Sequence, residues 1–355
     1  MFDVIIIGSG PSGAHCAKHL GQQKQLEVAV IDARDFNVQD RSHKACGGLL
    51  SSHAQKALRQ EGIIIPDDIK VEPQLNKVNT SDFSNHLHRF YPRSYINMDR
   101  RKFENWLISL IPKNVTLLYS TQVLTIKKTQ QGFRLEMIHN KQKSMLECKI
   151  LIGADGADSI VSRTLFTQRQ HAQRYVCMQE HYLTSEVQTS YYGIFDESIT
   201  DYYSWALQKD KTIIIGSALC IDKQVHQNFD TFKTKLKQNT NLQLHELKST
   251  EGAIVLRPRS IKELNYHCGQ AALIGEASGT ISPTSAEGFS YAFRSARYLS
   301  ESLLRYGATE KALKVYDLKC MKLRFSIALK LMKLPFMYQP WLRKWVMLSK
   351  ITSVK

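Results

Sequence analysis

No two cysteines in this chain stand in a C-x-x-C spacing, and the seven present (Cys16, Cys46, Cys148, Cys177, Cys220, Cys268, Cys320) are an odd number scattered over 355 residues. Structural zinc sites need paired spacings and disulfide frameworks need even sets, so neither organises the fold and no metal site is expected. A reducing, cytoplasmic compartment fits that cysteine usage. The start, MFDVIIIG, puts an acid where a secretory leader needs basic residues, so none is expected there. No apolar run reaches the ~18 residues of a membrane span. Internal repeats and low-complexity linkers are missing too.

Acidic residues are scarce in one place. From Lys311 to Lys355, eleven Lys or Arg face a single acid, Asp317, so this segment carries +10 of the chain's formal +16. Such a balance suits a negatively charged partner surface. Read as a helix, it has Leu318, Met321, Phe325, Ala328 and Met332 on one face and Leu323, Ile327 and Leu331 on the other, with lysines between. One of the two stripes would pack on the protein, cap a lipid tunnel or lie in a bilayer interface. Further on, Trp341 and Trp345 flank Arg343 and Lys344, a mixture matched to anionic headgroups; a solvated basic cap is the plainer reading. Nucleic acid is not supported, because no binding motif accompanies the charge.

What the chain does have begins at its first residues. FDVIIIGSGPSGAHCAKHL reads as a buried strand, a glycine turn and a helix, and a second strand, LEVAVID, ends in Asp32. Gly8 gives the tight turn, Gly10 lets backbone approach a pyrophosphate, and Gly13 lets the helix pack close to the strand. Asp32, nineteen residues after Gly13, is placed to accept from the adenosine ribose hydroxyls. An acid there disfavours a 2′-phosphate, which leaves FAD or NAD.

Three later stretches decide between them. INMDRRKFENWLISLIP holds Arg100 ahead of a helix with Phe103, Leu107 and Leu110 at helical spacing; CKILIGADGADSIVSR is a strand ending in Ala154-Asp155-Gly156; QAALIGEASGTISPTSAEGFSYAFRSA is a strand, a loop with Gly275, Glu276 and Pro283, and a helix starting near Gly288. Taken in this order, the segments resemble the RxxFxxxL, DG and GD motifs of the glutathione-reductase-type flavoproteins, aromatic-hydroxylase branch, which all touch one FAD. The resemblance implies FAD, with Arg100 near the flavin, Asp155 and Gly156 as the DG pair and Gly275 as the glycine of GD. Glu276 stands where that family has aspartate, keeping the carboxylate but adding a methylene. The helix start through Pro283 and Gly288 would face the flavin with its positive end. A second GxGxxG is absent, so electrons would come from a transiently docked NAD(P)H or from another reductant.

KACGGLL resembles the CGGG-type motif of geranylgeranyl reductases, and YYSWALQK resembles their YxWxFPK pocket motif through Tyr203, Trp205 and Lys209, with Leu207 and Gln208 in place of Phe and Pro. ACGGLL, RSYINMDR, FDESITDYYSW and LIGEASG together are similar to the bacterial CbrA proteins along nearly the whole length. The expected fold is therefore α/β: a Rossmann-like FAD domain (1–75, 97–165 and 267–305), an inserted α+β substrate domain (76–96 and 166–266) and a basic helical tail (306–355). The implied activity is reduction of C=C bonds in an isoprenoid or other lipid-like substrate, peripheral on the inner face of the membrane. Two alternatives stand beside it: a flavin monooxygenase for a hydrophobic small molecule, and a flavoprotein acting mainly as a lipid-binding or resistance factor.

Saturating an isolated C=C requires a hydride and a proton, so a weak acid near the ring is needed. Cys46, Tyr203 or an ordered water would serve. Cys46 has three readings: a small hydrophobe packed under the flavin, one half of a disulfide, or a polar group lining the substrate cavity. Tyr203 and Trp205, two apart on a predicted strand, would form one aromatic wall; an ordinary core-facing sheet surface would look the same.

Overall fold

The computed structural model describes residues 1–36 and 45–350, and the segments 37–44 and 351–355 lie outside the described residues. The chain divides into two units, one of Met1–His43, Arg101–Gln173 and Leu256–Leu329, the other of Lys44–Arg100, Arg174–Val255 and Lys330–Lys355.

Apolar β-branched runs nucleate the first unit. Strand β1 (Phe2–Ile7) and β2 (Val28–Ile31) are buried on both faces, as the middle of a parallel sheet requires, and pair in parallel with Val4 opposite Val28. Helix α1 (Pro11–Gly21) joins them, with Gly10 as its N-cap and Pro11 preset for the first helical turn. In the second unit β3 (Leu49–Leu50), helix α2 (Ser52–Arg59), β4 (Leu75–Asp82) and β5 (Leu87–Asn97) follow. Helix α3 (Arg100–Ser109) returns the chain to the first unit, where β6 (Thr116–Leu118), β7 (Thr121–Lys128), β8 (Phe133–His139), β9 (Gln142–Gly153) and α4 (Ile160–Leu165) are laid down.

The second unit resumes with β10 (Gln173–Leu183), β11 (Ser190–Phe195), β12 (Ser204–Lys209), β13 (Thr212–Cys220), α5 (Val225–Asn239) and β14 (Leu247–Arg257). The first unit is completed by β15 (His267–Cys268), β16 (Ala271–Leu273), α6 (Phe289–Tyr306) and α7 (Glu310–Lys319). Its sheet runs β15-β16-β9-β1-β2-β6, with β7 and β8 added beside β9. The second sheet runs β14-β10-β13-β12-β11-β4-β5-β3. Each unit has its own core: Ile5, Ile31, Leu135, Leu151 and Leu273 in the first, Ile194, Ala206, Ile215, Phe229 and Phe232 in the second.

The segment after Cys46 belongs to the second unit. Residues up to 75 were expected in the nucleotide domain, but Leu49 and Leu50 pair with Asn97 and Ile96, which draws β3 and α2 into the second sheet.

The tail is helical but broken into pieces: after α7 come α8 (Met321–Leu331), α9 (Leu334–Tyr338) and α10 (Pro340–Leu348). Prolines at the starts of α9 and α10 explain two of the breaks. The α8 stripe of Leu323 and Ile327 is fully buried, whereas Leu318, Met321, Phe325 and Met332 are 55–72% exposed. Arg343 corrects the sequence reading that set it outward beside Lys344. It is buried, and its guanidinium pairs with Asp82 through Nε at 2.7 Å and a terminal nitrogen at 3.1 Å. Removing one partner of such a buried pair costs about 3–5 kcal/mol, so α10 is bolted to β4 through its cation rather than offering it to a partner.

Candidate functional site

In the first unit four parallel strands, β16, β9, β1 and β2, end on the same side of the sheet, which is where an open α/β sheet holds its ligand. The sequence-predicted residues Gly8, Asp32, Asp155 and Gly275 all sit within two residues of those ends. Two glycines there are dictated by the protein itself. A Cβ on Gly13 would lie 1.9 Å from the Gly8 carbonyl oxygen, and Gly8, at φ +94°, would press its Cβ to 2.6 Å from the Ala154 carbonyl. Gly10 and Gly156 differ: a Cβ on either meets nothing within 4 Å.

Asp32 is buried and heavily engaged. One oxygen accepts from the Ser9 amide and hydroxyl, both at 2.7 Å, and from Arg34 at 2.9 Å; the other accepts from the Arg34 amide at 2.9 Å and Nε at 3.1 Å. Burial alone would raise its pKa, but Arg34 and Ser9 hold it below the usual carboxylate value. Arg34 also reaches Glu104 at 2.7 Å, and its guanidinium lies 4.8 Å from the Phe36 ring centre. The sequence reading missed Arg34. It also missed Tyr119, which packs 4.7 Å from Phe36 and whose buried hydroxyl has no hydrogen-bond partner among the described residues.

Asp155 carries the clearest mark of an intended ligand. One oxygen accepts from the Ile160 amide at 2.7 Å, while Oδ1 is buried with no hydrogen-bond partner among the described residues. Burial lifts its pKa to about 6 despite the hydroxyl of Ser159 and backbone amides beside it. A buried carboxylate oxygen is left unpaired at a cost unless a donor arrives, so the hydroxyl-rich chain of a flavin dinucleotide fits here.

The loop after β16 is busier than expected. Glu276 accepts from the Leu256 amide at 2.9 Å, and the Pro283 carbonyl accepts from Arg257 at 3.3 Å. Gly288 caps α6, and Glu287 accepts from the Ser290 amide at 2.8 Å and hydroxyl at 2.7 Å. A carboxylate therefore already meets the positive end of α6, which weakens the field assigned to it from sequence.

The second unit assembles Cys46, Arg100 and Lys209. Cys46 is half-buried with a free thiol, its sulfur 3.4 Å from the Gly48 amide and 3.5 Å from an Arg100 guanidinium nitrogen. None of the seven cysteines is in a disulfide. The Lys209 ammonium donates to the Gly48 carbonyl at 3.2 Å, to Asn97 Oδ1 at 2.8 Å and to the Met98 carbonyl. Burial lowers its pKa to about 8, against the pull of Cys46, Asp99 and Asp210. Lys209 thus clamps the backbone beside Cys46, with Gly48 at φ +59° where a Cβ would strike both Met98 and Lys209.

Tyr203 and Trp205 form the expected aromatic pair, ring centres 5.6 Å apart, both buried. Tyr203 hydrogen-bonds Tyr191, and burial pushes its pKa well above the ordinary phenol value, so it stays protonated. Tyr338 of α9 packs against Tyr202 and Phe195 at 5.8 and 5.6 Å. Trp205 faces Gly193 on β11 and Gly216 on β13, and the indole lies over Gly216. Its Nε1 is buried with no acceptor among the described residues.

Comparison with known proteins bears on the family and the fold. The FAD binding domain family matches residues 1–324. Protein CbrA of Escherichia coli O6:H1 (strain CFT073) is 35% identical, covering 99% of this chain and 94% of its own, and Protein CbrA of Shigella sonnei (strain Ss046) is 35% identical over 99% and 98%. A geranylgeranyl bacteriochlorophyll reductase-like protein of Thermoplasma acidophilum has a similar fold, with TM-score 0.80, 16% identity and coverage of 97% and 90%. PqsL of Pseudomonas aeruginosa, a probable FAD-dependent monooxygenase, gives TM-score 0.70 at 16% identity, covering 97% and 99%. The chain belongs to the FAD-binding-domain family of flavoproteins, and within it to the CbrA proteins. FAD is its cofactor and oxidoreduction its class of chemistry.

Proposed function

We propose that this flavoprotein reduces C=C bonds of an isoprenoid or other lipid-like substrate, with Cys46, Tyr203 and Trp205 as the substrate-side residues. The carrying observation is the buried aromatic wall of Tyr203 and Trp205, with an unpaired indole N–H, in the unit that also holds the Cys46 loop. FAD, when bound and reduced by an external NAD(P)H or protein donor, supplies the hydride. Gly10, Asp32, Asp155, Gly156, Gly275 and Glu276 would hold it, with Arg100 on the flavin side. The wall excludes water and aligns an apolar chain, and the Cys46 thiol or the Tyr203 hydroxyl donates the proton to the second carbon.

The substrate class agrees with the tail. Of the seventeen large apolar residues exposed among those described, nine lie between Leu318 and Leu348, including Phe325, Trp341 and Trp345. No helix among the described residues is long and apolar enough to cross a membrane. The reading extends to peripheral contact with the anionic inner face of a membrane, supported within the second unit by exposed Trp341 and Trp345 beside Lys344.

The test is anaerobic. The flavin is bleached with dithionite, and polyprenyl phosphates or diphosphates are added. Recovery of its absorbance together with a saturated product supports the reading. A flavin that stays reduced until air is admitted, then reoxidises faster with a hydrophobic ligand, transfers the protein to the monooxygenase reading.

A further inference from the structure

At the β15 edge of the first unit lies an open cavity of about 410 Å³ lined by residues from the chain after α4, from the loop before β15, and from α7 and α8. Its floor includes the buried Tyr266, over whose ring the Arg324 guanidinium sits at 4.6 Å. Arg324 is engaged by Asp317 at 2.8 Å, and Asp317 is the one acid among the lining residues. Two further cations, Arg169 and Lys262, line the walls, and neither side chain makes a hydrogen bond or ion pair among the described residues. His267 adds a buried Nδ1 with no hydrogen-bond partner among the described residues, Asp317 Oδ2 lying 3.9 Å away.

These facts point one way. Arg324 and Asp317 cancel, which leaves two unmatched positive charges and a buried imidazole nitrogen around one concavity. Solvated surface lysines alone would not leave a buried ring nitrogen unpaired. Three donors from separate segments suit a ligand group with several acceptor oxygens and more than one negative charge, which describes a phosphate better than a carboxylate. The volume exceeds that of a bare ion and falls in the usual range for small organic ligands.

We propose that this cavity binds a phosphate-bearing small molecule, its oxyanion held by Arg169 and Lys262 with His267 Nδ1 as the buried donor. The chemistry is shared by a phosphorylated metabolite and by the pyrophosphate of a nicotinamide reductant. The inference is independent of what the flavin reduces.

The test is calorimetric titration of the FAD-loaded protein with pyrophosphate and with inorganic phosphate. Saturable binding is expected, weakened about tenfold or more by the double substitution Arg169→Glu, Lys262→Glu. Because both side chains are exposed and unpaired, FAD content and the thermal midpoint should stay at wild-type values. His267→Asn should weaken binding by a smaller factor. Competition by NADPH would assign the cavity to the reductant, and binding without competition would assign it to another phosphorylated molecule; both keep the site. Absence of saturable pyrophosphate binding up to about 10 mM, or equal affinity in wild type and double variant, overturns it.

Discussion

In the first unit the groups assigned to FAD hang from backbone: Gly8, Asp32, Asp155 and Gly275 follow the ends of parallel strands, and their positions are set once the sheet forms. In the second unit the assigned groups are held sideways, Cys46 by the Lys209 clamp and Trp205 by glycines on both neighbouring strands. A site built from backbone should fail when one atom is added to it and survive side-chain trimming. A site built from side chains should behave in the opposite way. That contrast can be broken at chosen residues.

The largest effect is expected at Gly13. An alanine Cβ there would lie 1.9 Å from the Gly8 carbonyl oxygen and 2.9 Å from its carbon, both backbone atoms, so the whole turn must shift. Gly13→Ala should lose FAD affinity by more than about a hundredfold, read from flavin retained per protein after gel filtration. Gly10→Ala is the control. Its Cβ meets no protein atom, so the apoprotein should keep its thermal midpoint while flavin retention falls. Full flavin retention in Gly13→Ala would remove the backbone half of the comparison.

An intermediate effect belongs to Lys209 and depends on pH. Its pKa of about 8 lies below the ordinary lysine value of 10.5 because burial disfavours the charged form. The unfolded chain therefore holds more protons between those two values, and by linkage this group makes the protein more stable as pH rises from about 8 toward 10.5. Geometry runs the other way, since a neutral amine donates only two of the three bonds that the ammonium gives to Gly48, Asn97 and Met98. Turnover should thus fall as pH passes about 8 without a matching fall in thermal midpoint. In Lys209→Met that limb should vanish and turnover should be low at every pH, by about tenfold if one buried acceptor left unpaired sets the loss. An unchanged alkaline limb in the variant would show that Lys209 does not set it.

The two modes of construction also explain what was readable in advance. Glycine spacing constrains backbone, and backbone constraints survive in a sequence as short fixed intervals, which is why the cradle from Gly8 to Asp32 and the Asp155–Gly156 turn were legible. Partners brought from afar were not. Lys209 was read as a pocket residue, yet it serves the chain at residues 48, 97 and 98, and nothing in its neighbourhood announces contacts 111 to 161 residues away. Arg343 was read as a surface cation because its neighbours are tryptophans and a lysine. Only the fold brings it to Asp82, 261 residues earlier. Glu287 was missed for a third reason: the sequence shows a glycine at a helix start, but not that the residue before it turns back to cap that helix.

The smallest effect is expected at Trp205. Its Nε1 has no acceptor, so Trp205→Phe removes volume but no hydrogen bond, and the apoprotein should lose only about 1 kcal/mol by chemical denaturation. Ligand binding separates two uses of the ring. If Trp205 acts only as an apolar wall, affinity for a prenyl hydrocarbon and for the same chain with a polar head should fall by the same small factor. If the unpaired N–H awaits an acceptor, the polar ligand should lose about tenfold more than the hydrocarbon, the worth of one buried hydrogen bond. Equal losses would mean that the second unit recognises its ligand by shape alone. The orphan nitrogen would then be a cost of fitting an indole over Gly216.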